Sequence, residues 1–278
     1  MDPASTAAER VAIFPGHGAR AVSFECRRVC VEFQLAQSIR RVLSDIDFDV
    51  YDGEFLSILG ASGSGKTTLL RILGGLLFPA KGSVVKFKGR IVDSPPERVV
   101  TVFQDYASSL LPWRSVEKNV ALGLEGRTTP AARRQRVAAA LEMVGLSEHA
   151  KDYPWQLSGG MQQRVQIARA LAMEPSVLLM DEPFGSLDAM TKASLQDQLH
   201  KVHLETGATI VFITHDIEEA VYLSNRVLIL EGKPSTIAKE LIVDLPRERD
   251  QVSTKESAPY LALRHQIYDF INGLKYST

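Results

Sequence analysis

Apolar positions fall in short runs separated by glycine- and charge-rich breaks, and their period changes along the chain. Residues 22–33 and 42–50 have strand spacing. Tyr51-Asp52-Gly53 closes the second run as a turn, with a glycine free to take positive φ. Phe55-Leu56-Ser57-Ile58-Leu59 is a compact apolar run, the pattern of a strand buried on both faces. It leads into a glycine-rich loop, after which residues 68–74 read as a helix. Residues 83–87 and 99–103 are further strands. From about 115 to 173 the period is helical, as in the Ala- and Arg-rich stretch 131–144. Strands return at 177–180, 208–213 and 227–230, with helices at 189–205 and 217–223 between them. The pattern predicts an α/β core carrying an inserted helical subdomain over about 106–173. Residues 1–20 read as a flexible extension and 21–235 as the main unit. Residues 236–278 form a more polar tail that ends in an amphipathic stretch at 260–274.

Composition narrows the function. At 278 residues and 45% hydrophobic content the chain can bury a sizeable core. Its 32 basic and 33 acidic residues leave a net charge of -1, so no basic excess points to nucleic acid. Cys26 and Cys30 are too few for a disulfide framework and lack zinc spacing, which suits a reducing cytosol. No apolar run reaches the roughly 20 residues of a membrane span, and residues 1–20 do not read as a signal peptide. At a membrane, another chain must supply the spans.

The loop Gly60-Ala61-Ser62-Gly63-Ser64-Gly65-Lys66-Thr67, followed by Thr68, is a Walker A sequence between a buried strand and a helix. Its glycines let successive N–H groups curl toward phosphate oxygens, and the helix aims its positive end at the same anion. Lys66 reaches the β- and γ-phosphates, and the Thr67 hydroxyl can ligate Mg²⁺. The apolar strand at 177–180 ends in Asp181-Glu182, which places two acids at the carboxyl end of the sheet. Asp181 suits Mg²⁺; Glu182 suits activation of an attacking water. Bare turns and solvated strand ends are the alternatives, and the pairing of the two motifs disfavours both.

Leu157-Ser158-Gly159-Gly160-Met161-Gln162-Gln163 stands between these motifs and opens a helix. Gln104 follows the strand at 99–103, and His215 in Thr214-His215-Asp216 follows that at 208–213. With these elements, residues 22–232 resemble the ATP-binding-cassette family. The implied fold is a P-loop NTPase core, a mixed sheet with flanking helices and an antiparallel β part at its N-terminal side, with an inserted α-helical subdomain. The implied ligands are ATP and Mg²⁺. The resemblance further implies that Ser158, Gly159 and Gly160 grip the γ-phosphate of ATP held by an opposite copy, so that active sites form in a homodimer. It gives Gln104 to Mg²⁺ or the lytic water, His215 to the γ-phosphate and Glu182, and Ser186-Leu187-Asp188 to the dimer interface. It sets Phe33 against adenine, with a core-packed Phe33 as the alternative and Phe24 as a competitor. His200 and His203, three apart on a helix with no third ligand evident, read as a solvated helix face.

The stretches Phe103-Gln104-Asp105 with 110–116, and Tyr153-Pro154-Trp155-Gln156-Leu157 before the signature, resemble ATPase subunits of nitrate/sulfonate/taurine-type importers. That likeness implies transmembrane permease subunits, with an indirect periplasmic or extracellular solute-binding protein, and a peripheral place on the cytoplasmic face of the membrane. Leu111, Pro112 and Trp113 are candidates for the permease-docking patch, or else cap the subdomain's own core. A soluble cassette ATPase is the alternative, disfavoured by a single signature and no sustained heptad run. A non-catalytic cassette would be expected to lack one of Lys66, Asp181, Glu182 or His215, and all are present.

Overall fold

The computed structural model of the chain describes residues 21–34, 38–105, 108–185 and 187–275. The extension at 1–20, the start of the helical stretch at 106 and Ser186 lie outside them. Strands β1 (Val22–Gln34), β2 (Ile39–Tyr51), β3 (Phe55–Gly60), β4 (Val84–Phe87), β5 (Arg90–Ile91), β6 (Val99–Val102), β7 (Val177–Asp181), β8 (Thr209–Thr214), β9 (Arg226–Gly232) and β10 (Ser235–Ile242) form one sheet. Its order is β5-β4-β1-β2-β10-β9-β3-β8-β7-β6. The half from β9 to β6 is parallel. The half containing β5, β4, β1 and β2 is antiparallel. The mixed sheet with its antiparallel N-terminal part is therefore as expected.

Side-chain alternation explains the continuous apolar runs. In β3, Phe55 and Leu59 enter one core while Leu56 and Ile58 enter the other. The same alternation holds in β8, where Ile210 and Phe212 face one core and Val211 and Ile213 the other. A strand covered on both faces has no polar side to show. Helix α1 (Lys66–Leu73) covers one face through Leu69, Leu70, Ile72 and Leu73. The opposite core is closed by helices α2 (Val116–Val120), α3 (Pro130–Met143), α4 (Gly159–Ala172), α5 (Ala189–Thr206), α6 (Ile217–Leu223) and α8 (Ala258–Lys275); α7 (Ser253–Glu256) precedes the last of these.

Strand β10 is not in the sequence pattern. Its Thr236, Ala238, Glu240 and Ile242 face solvent in alternation, so its apolar signal is weak. Backbone pairing to β9 and a single register point with β2 hold it between the two halves of the sheet.

The histidine pair differs from expectation. His200 and His203 are buried, at 5% and 6% exposure, rather than on a solvated face. His200 Nε2 lies 2.9 Å from the Arg247 carbonyl, and His203 Nδ1 lies 2.9 Å from that of Ala208. The chain after α6 folds back over this side of α5, which periodicity along one helix cannot reveal.

Arg249, in the same returning segment, closes the C-terminal end of α6. Its guanidinium donates to the carbonyls of Tyr222 at 2.6 Å, Ser224 at 3.0 Å and Val221 at 3.4 Å. These are carbonyls that a helix end leaves without partners. Burial pulls the Arg249 pKa down to about 10. Arg249→Met is expected to destabilise the protein by about 1–3 kcal/mol, the cost of stranding buried acceptors. Thermal unfolding checks this, and an unchanged midpoint would rule the cap out.

Candidate functional site

The glycine-rich loop joins β3 to α1, and two of its glycines, Gly60 and Gly65, leave no room for a side chain. A Cβ on Gly60 would stand 2.6 Å from Ser64 Oγ and 2.8 Å from the Leu230 carbonyl oxygen. Gly65 has φ 84, and a Cβ there would stand 2.6 Å from Leu43 Cδ2. Lys66 is buried, and its ammonium donates to the carbonyls of Gly60 at 2.8 Å and Ala61 at 3.0 Å. Burial lowers its pKa, opposed by the charges of Glu182 and Asp181.

A cleft of about 720 Å³ opens over this loop. Ser62, Gly63, Gly65, Lys66, Thr67 and Thr68 line it beside Phe33, Gln104 and Glu182. Phe33 is 39% exposed at the cleft wall, so it is not the core-packed residue of the alternative. Phe24 is fully buried against Phe87, with ring centroids 4.9 Å apart, and cannot compete for a ligand.

The acids arrive from β7. Asp181 is buried and hydrogen-bonded by Thr67. Burial raises its pKa; the Thr67 bond and Lys66 oppose this, and Glu182 reinforces it. Glu182 turns the chain at φ 46, a conformation that strains a non-glycine residue by about 1–3 kcal/mol. Its amide donates to the Ile213 carbonyl at 3.0 Å, which fixes that turn against β8. Glu182 Oε2 lies 3.0 Å from His215 Nδ1 and accepts a bond from Gln104 Nε2 at 3.4 Å. Three expected residues from three strand ends thus meet at one carboxylate oxygen. Among the described residues, no cluster of three His, Cys, Asp or Glu stands ready for a metal. The Thr67 hydroxyl beside the Asp181 carboxylate is a hard-oxygen pair. It suits a Mg²⁺ that takes its remaining ligands from water and phosphate.

The signature residues stand apart. Ser158 caps α4, its hydroxyl accepting from the Met161 amide at 3.3 Å. Asp188 caps α5 through the amides of Met190 and Thr191. A Cβ on Gly160 would press to 3.0 Å on Leu187 Cδ2, which explains the second glycine by packing. Ser158, Gly159, Gly160 and Asp188 are absent from the cleft lining.

Periodicity does not disclose the side chains that join these parts. Gln163 Nε2 donates to the Pro183 carbonyl, next to Glu182. Gln166 Nε2 donates to the Phe103 carbonyl at 2.9 Å, next to Gln104. Arg169 reaches the Ser109 carbonyl at 2.7 Å and Asn119 Oδ1 at 2.8 Å. The one sequence signal is polar residues at helical spacing on the buried face of α4.

The family model described as ABC transporter matches residues 43–185. The nitrate import ATP-binding protein NrtC of Synechococcus elongatus is 44% identical over 234 residues; the match covers 82% of this chain and 35% of that protein. The chain thus spans about a third of that relative's length. The aliphatic sulfonates import ATP-binding protein SsuB 1 of Xanthomonas axonopodis pv. citri is 45% identical over 237 residues, covering 84% of this chain and 91% of the relative. A solved dimeric structure of a post-hydrolysis state of the ATP-binding cassette MJ0796, bound to ADP and Pi, superposes with a TM-score of 0.72 at 32% identity. It covers 80% of this chain and 100% of that one. On its phosphate loop, its paired acids and these likenesses, the chain belongs to the ABC transporter family, as one of its ATP-hydrolysing cassettes.

Proposed function

We propose that this chain powers uptake of a small oxyanion, of the nitrate or sulfonate kind, through a separate permease. Two copies would act head to tail. One observation carries the dimer: each chain holds a phosphate cleft and, outside its lining, a second anion-suited helix end capped by Ser158. The dimeric state of the MJ0796 cassette supports the same arrangement.

In this reading Phe33 stacks on adenine and Lys66 holds the β- and γ-phosphates. Thr67 and Asp181, with Gln104, would hold Mg²⁺. The ion supplies charge neutralisation at the phosphate oxygens when bound. Glu182 orients and deprotonates the attacking water, and His215 and Gln104 fix that carboxylate. Ser158, Gly159 and Gly160 of the opposite copy close over the γ-phosphate. ATP favours the closed pair because only that state satisfies both half-sites. The helices between 106 and 173 then swing with the signature end.

A membrane partner is supported by exposed apolar groups. Among the described residues no helix is long and apolar enough to cross a membrane. Trp113 is 70% exposed and follows an exposed Pro112, which suits a docking patch for the permease on the cytoplasmic face. The solute itself would be captured by a separate binding protein.

The test is uptake. A strain deleted for this gene should lose import of nitrate or of an alkanesulfonate while keeping import of an unrelated solute. The wild-type gene should restore it, and a Glu182→Gln copy should not. Undiminished uptake of both anions would overturn the proposal.

A further inference from the structure

The loop at Asp188 and the turn at His215 are each followed at once by a helix, α5 and α6. One side chain joins the first turns of both. Lys192 Nζ lies 2.7 Å from Asp216 Oδ2 and 2.5 Å from Glu219 Oε1. Each end of this bridge is itself anchored. The Lys192 amide donates to the Asp188 carbonyl at 2.9 Å, and Asp188 Oδ1 caps α5. Asp216 Oδ1 caps α6 by accepting from the amides of Glu218 at 2.8 Å and Glu219 at 3.3 Å. The Glu219 carboxylate, 6% exposed, accepts from Thr214 Oγ1 at 2.5 Å, and the Asp216 amide donates to that same hydroxyl at 3.0 Å. Thr214, Asp216 and Glu219 therefore bracket His215 on both sides, and His215 meets Glu182 at 3.0 Å.

The electrostatics fit a fixed charge cluster rather than a solvated pair. Burial favours a neutral Lys192, but hydrogen bonds to Asp216 and Glu219 hold its pKa above the usual value. Burial likewise favours protonated Asp216, and Lys192 holds that carboxyl below its usual range. Burial raises the Glu219 pKa and the bonds from Lys192 and Thr214 oppose it, so removing Lys192 leaves that carboxyl poorly hydrated and free to take a proton or rearrange.

We propose that Lys192 is a positioning residue for hydrolysis: it locks the turn carrying His215 to the loop that faces the partner copy through Asp188. Lys192 does not line the phosphate cleft. It acts on His215, and through it on Glu182, whenever the Asp188 loop is set by the opposing copy. Contact across the dimer is thereby converted into the position of the group that orients the catalytic carboxylate. The proposal rests on the head-to-tail reading above, and the experiment separates the two.

The test compares steady-state ATP hydrolysis by wild type, Lys192→Met, Lys192→Arg, the double variant Lys192→Met/Glu219→Gln, and Glu182→Gln. Lys192→Met should lower kcat by about 10–100-fold, the scale of an ångström-level misplacement of a catalytic group. KM for ATP should stay within about twofold, because the ground-state contacts are untouched. Lys192→Arg, which keeps a cation between the two acids, should recover most of the rate. The Hill coefficient for ATP should fall toward one in Lys192→Met, since each site no longer senses the other. The double variant removes the stranded Glu219 charge and guards against loss of fold. It should remain folded by thermal unfolding and still be slow. Wild-type kcat and cooperativity in a folded Lys192→Met, or in the double variant if the single one is unfolded, would overturn the proposal. So would a slow Lys192→Met that Arg fails to rescue. Failure of Glu182→Gln to form an ATP-dependent dimer by light scattering would instead sink the head-to-tail reading, and full turnover by that variant would sink the assignment of the catalytic carboxylate.

Discussion

Glu182→Gln is expected to lower ATP turnover by about 10²–10⁴-fold, the usual worth of a positioned general base, while ATP affinity changes little. Glutamine keeps the shape of the side chain and can still bond His215 and Gln104, which meet Glu182 Oε2 at 3.0 and 3.4 Å. It cannot take a proton from water. The strained turn at φ 46 and the amide bond to Ile213 persist, since both are backbone features. The loss is thus confined to chemistry, and the variant should accumulate as an ATP-bound dimer. Phosphate release measures the rate, and light scattering with and without ATP measures the dimer. Near-normal turnover would move the base elsewhere; slow turnover with no ATP-dependent dimer would remove the proposed composite site.

A second pair of variants addresses that composite site. Lys66→Ala disables the phosphate loop, and Ser158→Phe blocks the signature end, whose hydroxyl caps α4. Heterodimers can carry these on different chains or on the same chain beside a wild-type partner. If each site takes its phosphate loop from one copy and its signature from the other, placing the changes on different chains ruins one site twice and spares the second. Placing both on one chain ruins both sites. The separated arrangement should keep turnover within about tenfold of wild type. The combined arrangement should fall by at least about 10²-fold, the scale of losing a fixed anion donor. Self-contained sites would give the reverse order. Differentially tagged chains and a phosphate assay decide it.

Much of the sheet was legible because its central strands are covered on both faces. Runs such as Phe55–Gly60 and Thr209–Thr214 are apolar without alternation, and a polar or glycine break marks where each one ends, Gly60 in the first and Thr214-His215 in the second. The site's parts were legible for a related reason. A phosphate loop needs glycines at fixed intervals, and a carboxylate pair at a strand end needs an apolar strand before it. These constraints are local in sequence. Strand β10 escaped because backbone pairing, not buried side chains, places most of it in the sheet. His200 and His203 misled because their partners come from other elements: Arg247, more than forty residues downstream, meets His200, and the Phe55 ring from β3 packs on His203.

By itself the sequence determined the α/β class, the phosphate loop, the acids beside it and the membership of Gln104 and His215 in one constellation. The first three follow from patterns within a few residues of one another, where backbone geometry and burial act directly on composition; the place of Gln104 and His215 follows from the family resemblance. Only the tertiary structure decided that Phe33 rather than Phe24 faces the cleft, that α4 grips the carbonyls beside Gln104 and Glu182, and that Lys192 bridges the helices after Asp188 and His215. Each of these depends on side chains distant in sequence meeting in a low-dielectric interior, where a single hydrogen bond or charge pair has large consequences and leaves no periodic trace.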